Sequence, residues 1–328
     1  MRPDKAVLVI HGGAGVPPKE SLTLERKRAF LATLEASLDH GLAVFRAGGS
    51  SLDMVEVAVE VMEESPLFNA GKGAVFTHDG KNELDASIME GKDHRAGAVA
   101  GVTTVRNPIK AARAVLENSP HVFLIGAGAE AFAREQGLEI VDPSFFYTEH
   151  RWKALQEALR REQAERANAP NPTQSPRPSP WPDGPPDLGT VGAVAMDRDL
   201  NLAAATSTGG MTNKWFGRVG DAPMIGVGTY ADNESCAVSA TGHGEFFIRN
   251  VVAYDIAALV KYQGLSVREA AEEVVFRKLR APDRGEGGVI ALDRQGNYAM
   301  PYNSPGMFRG CVTQDGQTFV AVYEEPQD

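Results

Sequence analysis

Residues 187–197 read DLGTVGAVAMD, a Gly-Thr pair set between a proline-rich stretch and an apolar run with the character of a buried strand. Thr190 is either an ordinary strand residue or the residue behind a peptide bond that is meant to be cut. Upstream lies APNPTQSPRPSPWPDGPPD (169–187), with eight prolines between Pro170 and Pro186. Proline fixes φ and has no N–H to donate, so this stretch can form neither a helix nor a central strand. It reads as an exposed linker. Downstream, TVGAVAMD (190–197), LAAATST (202–208), CAVSAT (236–241), GGVIALD (287–293) and FVAVY (319–323) read as short strands. A long helix over about 244–263 and a shorter one near 266–280 interrupt them.

The half before the linker begins with a strand, AVLVI (6–10), which ends at the glycine turn HGGAG. Leu24, Phe30, Leu34, Leu38 and Phe45 carry a helical spacing through 21–47. A second helix opens at Ser50, which forms a capping box with Asp53. A turn-rich loop over 65–80 runs into a strand, and another strand over 95–105 precedes a helix with Pro108 near its first turn. VFLIGAGAEAFARE (122–135) reads as strand, turn and helix, and a highly charged helix spans 151–168. Strands grouped at both ends with helices between them predict an α+β fold of sheets stacked against helical layers. The regular alternation of a doubly wound fold is not present.

The bulk numbers narrow the function. The chain has 328 residues, 43% hydrophobic and 23% charged, enough for one large globular domain. Its formal net charge is −10 and its basic residues are scattered, which argues against a general nucleic-acid or anionic-membrane surface. The two cysteines, Cys236 and Cys311, are far apart and fit neither a disulfide framework nor a zinc ribbon. The first apolar run is only five residues long and no stretch reaches membrane-span length, so a cytoplasmic location is expected. The seven histidines show no HExxH spacing, and no Walker loop is present. Gly126, Gly128 and Ala131 satisfy a G-x-G-x-x-G/A pattern and leave a nucleotide-binding protein as the alternative from another class. The acidic residue expected after a second strand is not in place, and a tight strand–helix turn accounts for the glycines.

Two segments after the linker carry chemistry. TSTGGMTNKWFGRVGD (206–221) is dense in hydroxyls and glycines and sets Arg218 three residues before Asp221. SATGHGEFF (239–247) places Thr241, Gly242 and Gly244 at a strand end leading into a helix. Bare backbone N–H groups at such a turn suit a negative oxygen. Arg218 can grip a carboxylate through two bonds and Asp221 can accept from an ammonium, so together they describe a pocket for an α-amino acid. Taken singly, each has a plainer reading: a structural ion pair, solvent-facing strand threonines at 206, 208 and 212, and a helix cap at 241.

The segments NAGKGAVFT, ELDASIMEG, LGTVGAVAMD, NLAAATSTGGMTNKWFGRVGDAPMIGVGTYADN and SATGHGE, with HGGAG near the start, resemble the plant-type L-asparaginases, or isoaspartyl peptidases, of the N-terminal nucleophile hydrolases. The resemblance runs from about residue 7 to the C-terminus and skips only the linker. It implies a four-layer αββα sandwich formed by one domain, residues 1–328. That domain cuts itself between Gly189 and Thr190 into an α subunit, 1–189, and a β subunit, 190–328. It implies hydrolysis of L-asparagine and of β-aspartyl dipeptides through an ester on Thr190, with the freed α-amine of the same residue as general base.

By position in the motifs, Thr208 would orient Thr190. Thr241 and Gly242 would serve an oxyanion hole with Asn69 assisting. Arg218 would hold the substrate carboxylate and Asp221 its amine, with Gly244 lining the pocket. No cofactor for catalysis is implied. A structural sodium ion is implied in the loop 62–72, on the main-chain carbonyls of Glu63, Phe68 and Ala70. An (αβ)₂ homodimer acting on small molecules, with no nucleic acid or membrane partner, completes the expectation. The related glycosylasparaginases place an aspartate before the threonine where this chain has Gly189. A taspase-like endopeptidase branch would need a protein substrate.

Overall fold

The computed structural model describes residues 3–16, 19–167, 189–279 and 285–324. The proline-rich segment expected at 169–187 lies outside the described residues. In chain order the strands and helices are β1 (Leu8–Ala14), α1 (Leu24–Arg46), α2 (Ser51–Glu63), β2 (Leu84–Glu90), β3 (Ala96–Val102), α3 (Pro108–Asn118), β4 (Phe123–Ile125), α4 (Gly126–Glu135) and α5 (Glu149–Ala167). After the segment come β5 (Val191–Met196), β6 (Leu202–Thr208), β7 (Thr229–Ala231), β8 (Ala237–Gly242), α6 (Gly244–Asn250), α7 (Val252–Gln263), α8 (Val267–Glu273), β9 (Gly287–Leu292), β10 (Tyr298–Ala299), β11 (Met307–Val312) and β12 (Thr318–Ala321).

Two sheets stack face to face. One has the order β12-β11-β1-β5-β6-β2-β3-β4, the other β10-β9-β8-β7. Apolar residues of both, among them Val9, Val194, Ala204, Ala237 and Ile290, fill the space between them. The outer face of the large sheet is covered by α1, α2 and α3, through residues such as Leu34, Leu38, Met54, Val55 and Ile109. The outer face of the small sheet is covered by α7 and α8 through Val252, Ile256, Ala270 and Ala271. The layers therefore run helices, sheet, sheet, helices, which is the expected αββα sandwich. Strands buried on both faces explain why β5 and β6 read as almost continuous apolar runs rather than as alternating ones.

Several elements differ from the sequence expectation. The first strand does not stop at HGGAG but runs through it to Ala14, with a register shift between His11 and Gly13 where it pairs with β11. Gly13 has φ +108°, and a side chain there would meet the Gly189 backbone at 2.4 Å. The turn signal is thus a strand irregularity that lets Gly189 approach. The helix expected over 244–263 divides into α6 and α7 at Val251, which is left-handed with φ 50°. The break is compensated by the first N–H groups of α7: Ala253 donates to the Val227 carbonyl at 3.1 Å and Tyr254 to Gly226 at 2.8 Å. The strand that the loop 65–80 runs into is β2, while β7, β10 and β11 were not expected. β11 contains Arg309, whose side chain is buried through bonds to the Met307 and Val322 carbonyls.

Candidate active site

The Gly189–Thr190 bond lies at the head of β5, where the large sheet meets two loops. Val191 pairs with Ser207, so Thr190 lies beside Thr208 at the end of β6. The Thr190 hydroxyl donates to Thr208 Oγ1 at 3.1 Å, and Thr208 Oγ1 also accepts the Gly210 N–H at 3.0 Å. Both threonines are buried. The Gly189 carbonyl accepts the N–H of Asn69 at 3.1 Å. The Asn69 side chain is committed elsewhere: Oδ1 accepts the Val75 N–H at 3.0 Å and Nδ2 donates to the Gly210 carbonyl at 2.7 Å. Asn69 therefore reaches Gly189 through its backbone, while its amide ties together the loops on either side.

The second sheet contributes the end of β8. Thr241 is fully buried, and its Oγ1 accepts the Ala14 N–H at 3.1 Å, which leaves the hydroxyl proton for another acceptor. Gly242 follows it, paired with Gly287, and leads through His243 into α6. His243 Nδ1 accepts the Glu286 N–H at 3.2 Å, and burial holds this ring's pKa down at about 4.

Arg218, Asp221 and Gly244 converge as the sequence implied. A Cβ at residue 244 would lie 2.7 Å from Arg218 Nη2 and 2.9 Å from Asp221 Oδ1, so only glycine leaves this space open. Arg218 is not bonded to Asp221, as the plainer ion-pair reading would have it. Its Nε and Nη2 grip the Glu245 carboxylate at 2.9 and 3.0 Å. Glu245 thus occupies two donors of the kind that a substrate carboxylate would use. Asp221 is buried, and its Oδ2 has no hydrogen-bond partner. Desolvation pushes its carboxyl up to about 7 against the opposing pull of Arg218. An unpaired buried carboxylate oxygen beside a guanidinium is the acceptor that an ammonium group needs.

The sequence reading missed three charged neighbours. Glu245 belongs to the SATGHGE segment but was passed over for its glycines. Asp85 in β2 faces Thr208 across the strand pair, is fully buried, and is pushed up by desolvation. Its Oδ1 accepts the Gly101 N–H at 2.8 Å. Lys214 is buried with its ammonium donating to the Glu83 carbonyl at 3.0 Å, and desolvation holds its pKa down. An aspartate in the apolar run Leu84–Ile88 was the available signal, since a charge inside a buried strand needs a reason.

In the loop 62–72, the carbonyl oxygens of Glu63 and Phe68 lie 2.3 and 2.0 Å from the points where Cβ atoms on Gly71 and Gly73 would stand, with the Pro66 oxygen 2.9 Å from the latter. A side chain at either glycine would meet these carbonyl oxygens. The Ala70 carbonyl accepts the Gly73 N–H at 3.1 Å. Lys72 does not crowd the loop, because its ammonium sits 5.4 Å above the Phe145 ring. The Glu63 carboxyl is buried and raised to about 8 by desolvation, with Oε1 accepting from Ser207 at 2.5 Å and from the Ile109 N–H at 3.1 Å. Among the described residues no cluster of His, Cys, Asp and Glu side chains could hold a metal ion. Gly126 and Gly128, the nucleotide alternative, sit in the first turn of α4, directly after the edge strand β4, and face open space.

Comparison with known proteins adds an independent line. Residues 4–322 match the asparaginase family. The chain is 50% identical over 327 residues to the isoaspartyl peptidase of Escherichia coli K12, covering 99% of this chain and 98% of that protein. It is 42% identical to a probable isoaspartyl peptidase/L-asparaginase 2 of Arabidopsis thaliana, covering 97% and 98%. The isoaspartyl peptidase/L-asparaginase of Mus musculus is 40% identical, over 92% of this chain and 86% of that protein.

Proposed function

The chain belongs to the asparaginase family of N-terminal nucleophile hydrolases, and on that footing we propose that it hydrolyses L-asparagine and β-aspartyl dipeptides with Thr190 as nucleophile, after cutting itself at Gly189–Thr190. One observation carries the assignment of Thr190: its hydroxyl rests on Thr208 while the preceding carbonyl rests on the Asn69 N–H. In the uncut chain Thr190 Oγ attacks the Gly189 carbonyl carbon. The developing oxyanion is held by the Asn69 N–H, and the Thr190 nitrogen leaves as an amine that takes up a proton. Water then hydrolyses the Gly189 ester and leaves a free carboxylate on Gly189.

Cutting switches the chemistry on. While Thr190 is in a peptide bond, its hydroxyl proton can only rest on Thr208. Once free, the α-amine, with a reference pKa of about 7.7–8.0, can accept that proton near neutral pH. A positioned general base of this kind supplies roughly 10²–10⁴-fold. Arg218 takes the substrate α-carboxylate and Asp221 its ammonium, which turns the side-chain amide toward Thr190. Attack forms a tetrahedral centre whose oxyanion is served by the Thr241 hydroxyl and the Gly242 backbone. Ammonia or a peptide amine departs with the proton. The amine then takes a proton from water, which attacks the ester, and passes it to Thr190 Oγ as aspartate leaves, so hydroxyl and free amine are both restored.

Oxygen ligands suit a hard cation such as sodium, and the main-chain carbonyls of Glu63, Phe68 and Ala70 are the groups that would supply them. An ion there would brace the loop that presents Asn69. The subunits 1–189 and 190–328 are taken to pair as an (αβ)₂ homodimer. No helix among the described residues is long and apolar enough to cross a membrane. Denaturing electrophoresis of the purified protein is expected to show two fragments, the smaller one with an N-terminal sequence beginning at Thr190. Thr190→Ala should remain a single 35.1 kDa chain that releases no ammonia from asparagine. Full activity in that variant overturns the reading.

A further inference from the structure

A line of buried polar groups runs from Thr190 into the seam between the two sheets, and the reaction above makes no use of it. His11 in β1 has Nδ1 3.0 Å from the Thr190 carbonyl and Nε2 2.9 Å from Ser239 Oγ in β8. Ser239 lies 2.7 Å from Thr206 Oγ1 in β6, and Thr206 lies 2.5 Å from Thr229 Oγ1 in β7. Thr229 lies 2.8 Å from Ser87 Oγ in β2, and Ser87 lies 2.6 Å from the carbonyl of Ala222, the residue after Asp221. The line crosses from one sheet to the other at each of these strands, and none of its five side chains has any solvent exposure. It joins the nucleophile to the amine-binding loop through a layer that is otherwise apolar.

Proton bookkeeping gives the line a direction. A carbonyl only accepts, so Nδ1 of His11 must carry the proton and Nε2 must be the acceptor. Ser239 then donates to His11 and Thr229 to Thr206, while Thr206 divides its one proton between Ser239 Oγ and the Gly228 carbonyl 3.0 Å away. Ser87, at the end, divides its one proton between Thr229 and the Ala222 carbonyl. Burial holds the His11 pKa down at about 3, so the ring stays neutral and this order is kept. Gly192 marks the crossing point. A Cβ there would stand 2.0 Å from Ser239 Oγ and 2.4 Å from His11 Nε2 and would break the line between these two side chains.

We infer that His11 is a positioning residue for the nucleophile, locked as the Nδ1–H tautomer by the Ser239–Thr206–Thr229–Ser87 hydroxyls, and that this line registers Thr190 against Asp221. The inference rests on Thr190 being the nucleophile and adds what keeps it in place. After the cut Thr190 becomes a chain terminus, and termini fray unless they are tied down. Strand pairing of β5 begins only at the next residue, Val191, so the bond from His11 is what fixes the Thr190 carbonyl. A nucleophile displaced by as little as an ångström can lose two orders of magnitude in rate.

The test reads both ends of the line. On processed enzyme, Ser239→Ala and His11→Leu are expected to lower kcat by about tenfold, with KM changed less than about twofold. His11→Asn keeps an amide donor for the Thr190 carbonyl and should recover most of that loss. Ser87→Ala should raise KM for asparagine, but not for the analogue without an α-amino group. Nitrogen-15 spectra of the wild-type histidines at pH 7, with His11 assigned by its loss in His11→Asn, should show Nδ1 protonated and Nε2 bare. A ring protonated on Nε2 overturns the inference. So do variants that lower Tm yet leave kcat and KM at wild-type values. The ring state is read without substrate, so a wild-type protein that releases nothing from asparagine or β-aspartyl dipeptides fails the functional reading instead.

Discussion

In the proposed reaction Asp221 is the residue whose electrostatics most directly governs substrate capture. Its carboxyl, pushed up to about 7 by burial, must be ionised to receive an ammonium. As pH falls below that value the ionised fraction drops towards tenfold per unit, and KM for asparagine should rise in step. The Thr190 amine titrates nearby, so the clean measurement is a ratio. kcat/KM for asparagine over that for its deaminated analogue should fall about tenfold per pH unit below 7, because only the former needs Asp221. A ratio flat from pH 5 to 8 would remove Asp221 from the amine site. Thr190, Arg218 and Asp221 were legible in the sequence because hydroxyls, glycines and paired charges crowd into short segments. Glu245, Asp85 and Lys214 were not. Their significance comes from burial and from partners on other strands, which no local pattern records. His11 shows the same limit: its HGG setting suggested a turn, while its partners lie 179 and 228 residues away.

At the level of elements, α2 shows how far local rules carry. Ser50 accepts the Asp53 N–H and Asp53 accepts the Ser50 N–H at 2.9 Å, the capping box read from the sequence. Ser50→Ala should cost about 1 kcal/mol of stability, visible as a lower denaturant midpoint with unchanged kcat. Loss of activity beyond loss of folded protein would show that this helix start does more than hold α2. The helix break at Val251 was not legible, because the groups that compensate it are carbonyls of the loop 226–227. β11 was missed for a related reason. MFRGCV carries an arginine and a glycine inside a strand, and the charge is tolerable there because Arg309 donates to the Met307, Val322 and Tyr323 carbonyls and lies over the Tyr302 ring.

Over the whole molecule, the grouping of strands and helices implied sheets stacked against helical layers and the family resemblance implied their αββα order, whereas the strand order followed from neither, since pairing is non-local. β1, from before residue 189, lies between β11 and β5, both from after it, and β2 pairs with β6. For a chain cut at residue 189 each subunit therefore supplies interior strands of one sheet. The two fragments should elute together from a native sizing column and part only under denaturant. Early separation in buffer alone would contradict that strand order. Interleaving also sets a direction in time. The uncut chain brings β1 to its neighbours as a first-order event, whereas two severed pieces must find each other by diffusion before the sheet can close. Recovery after heating should then depend on protein concentration for the cut form and not for the Thr190→Ala chain. Such a molecule is given one unimolecular folding, and the cut that arms it also forfeits the easy way back.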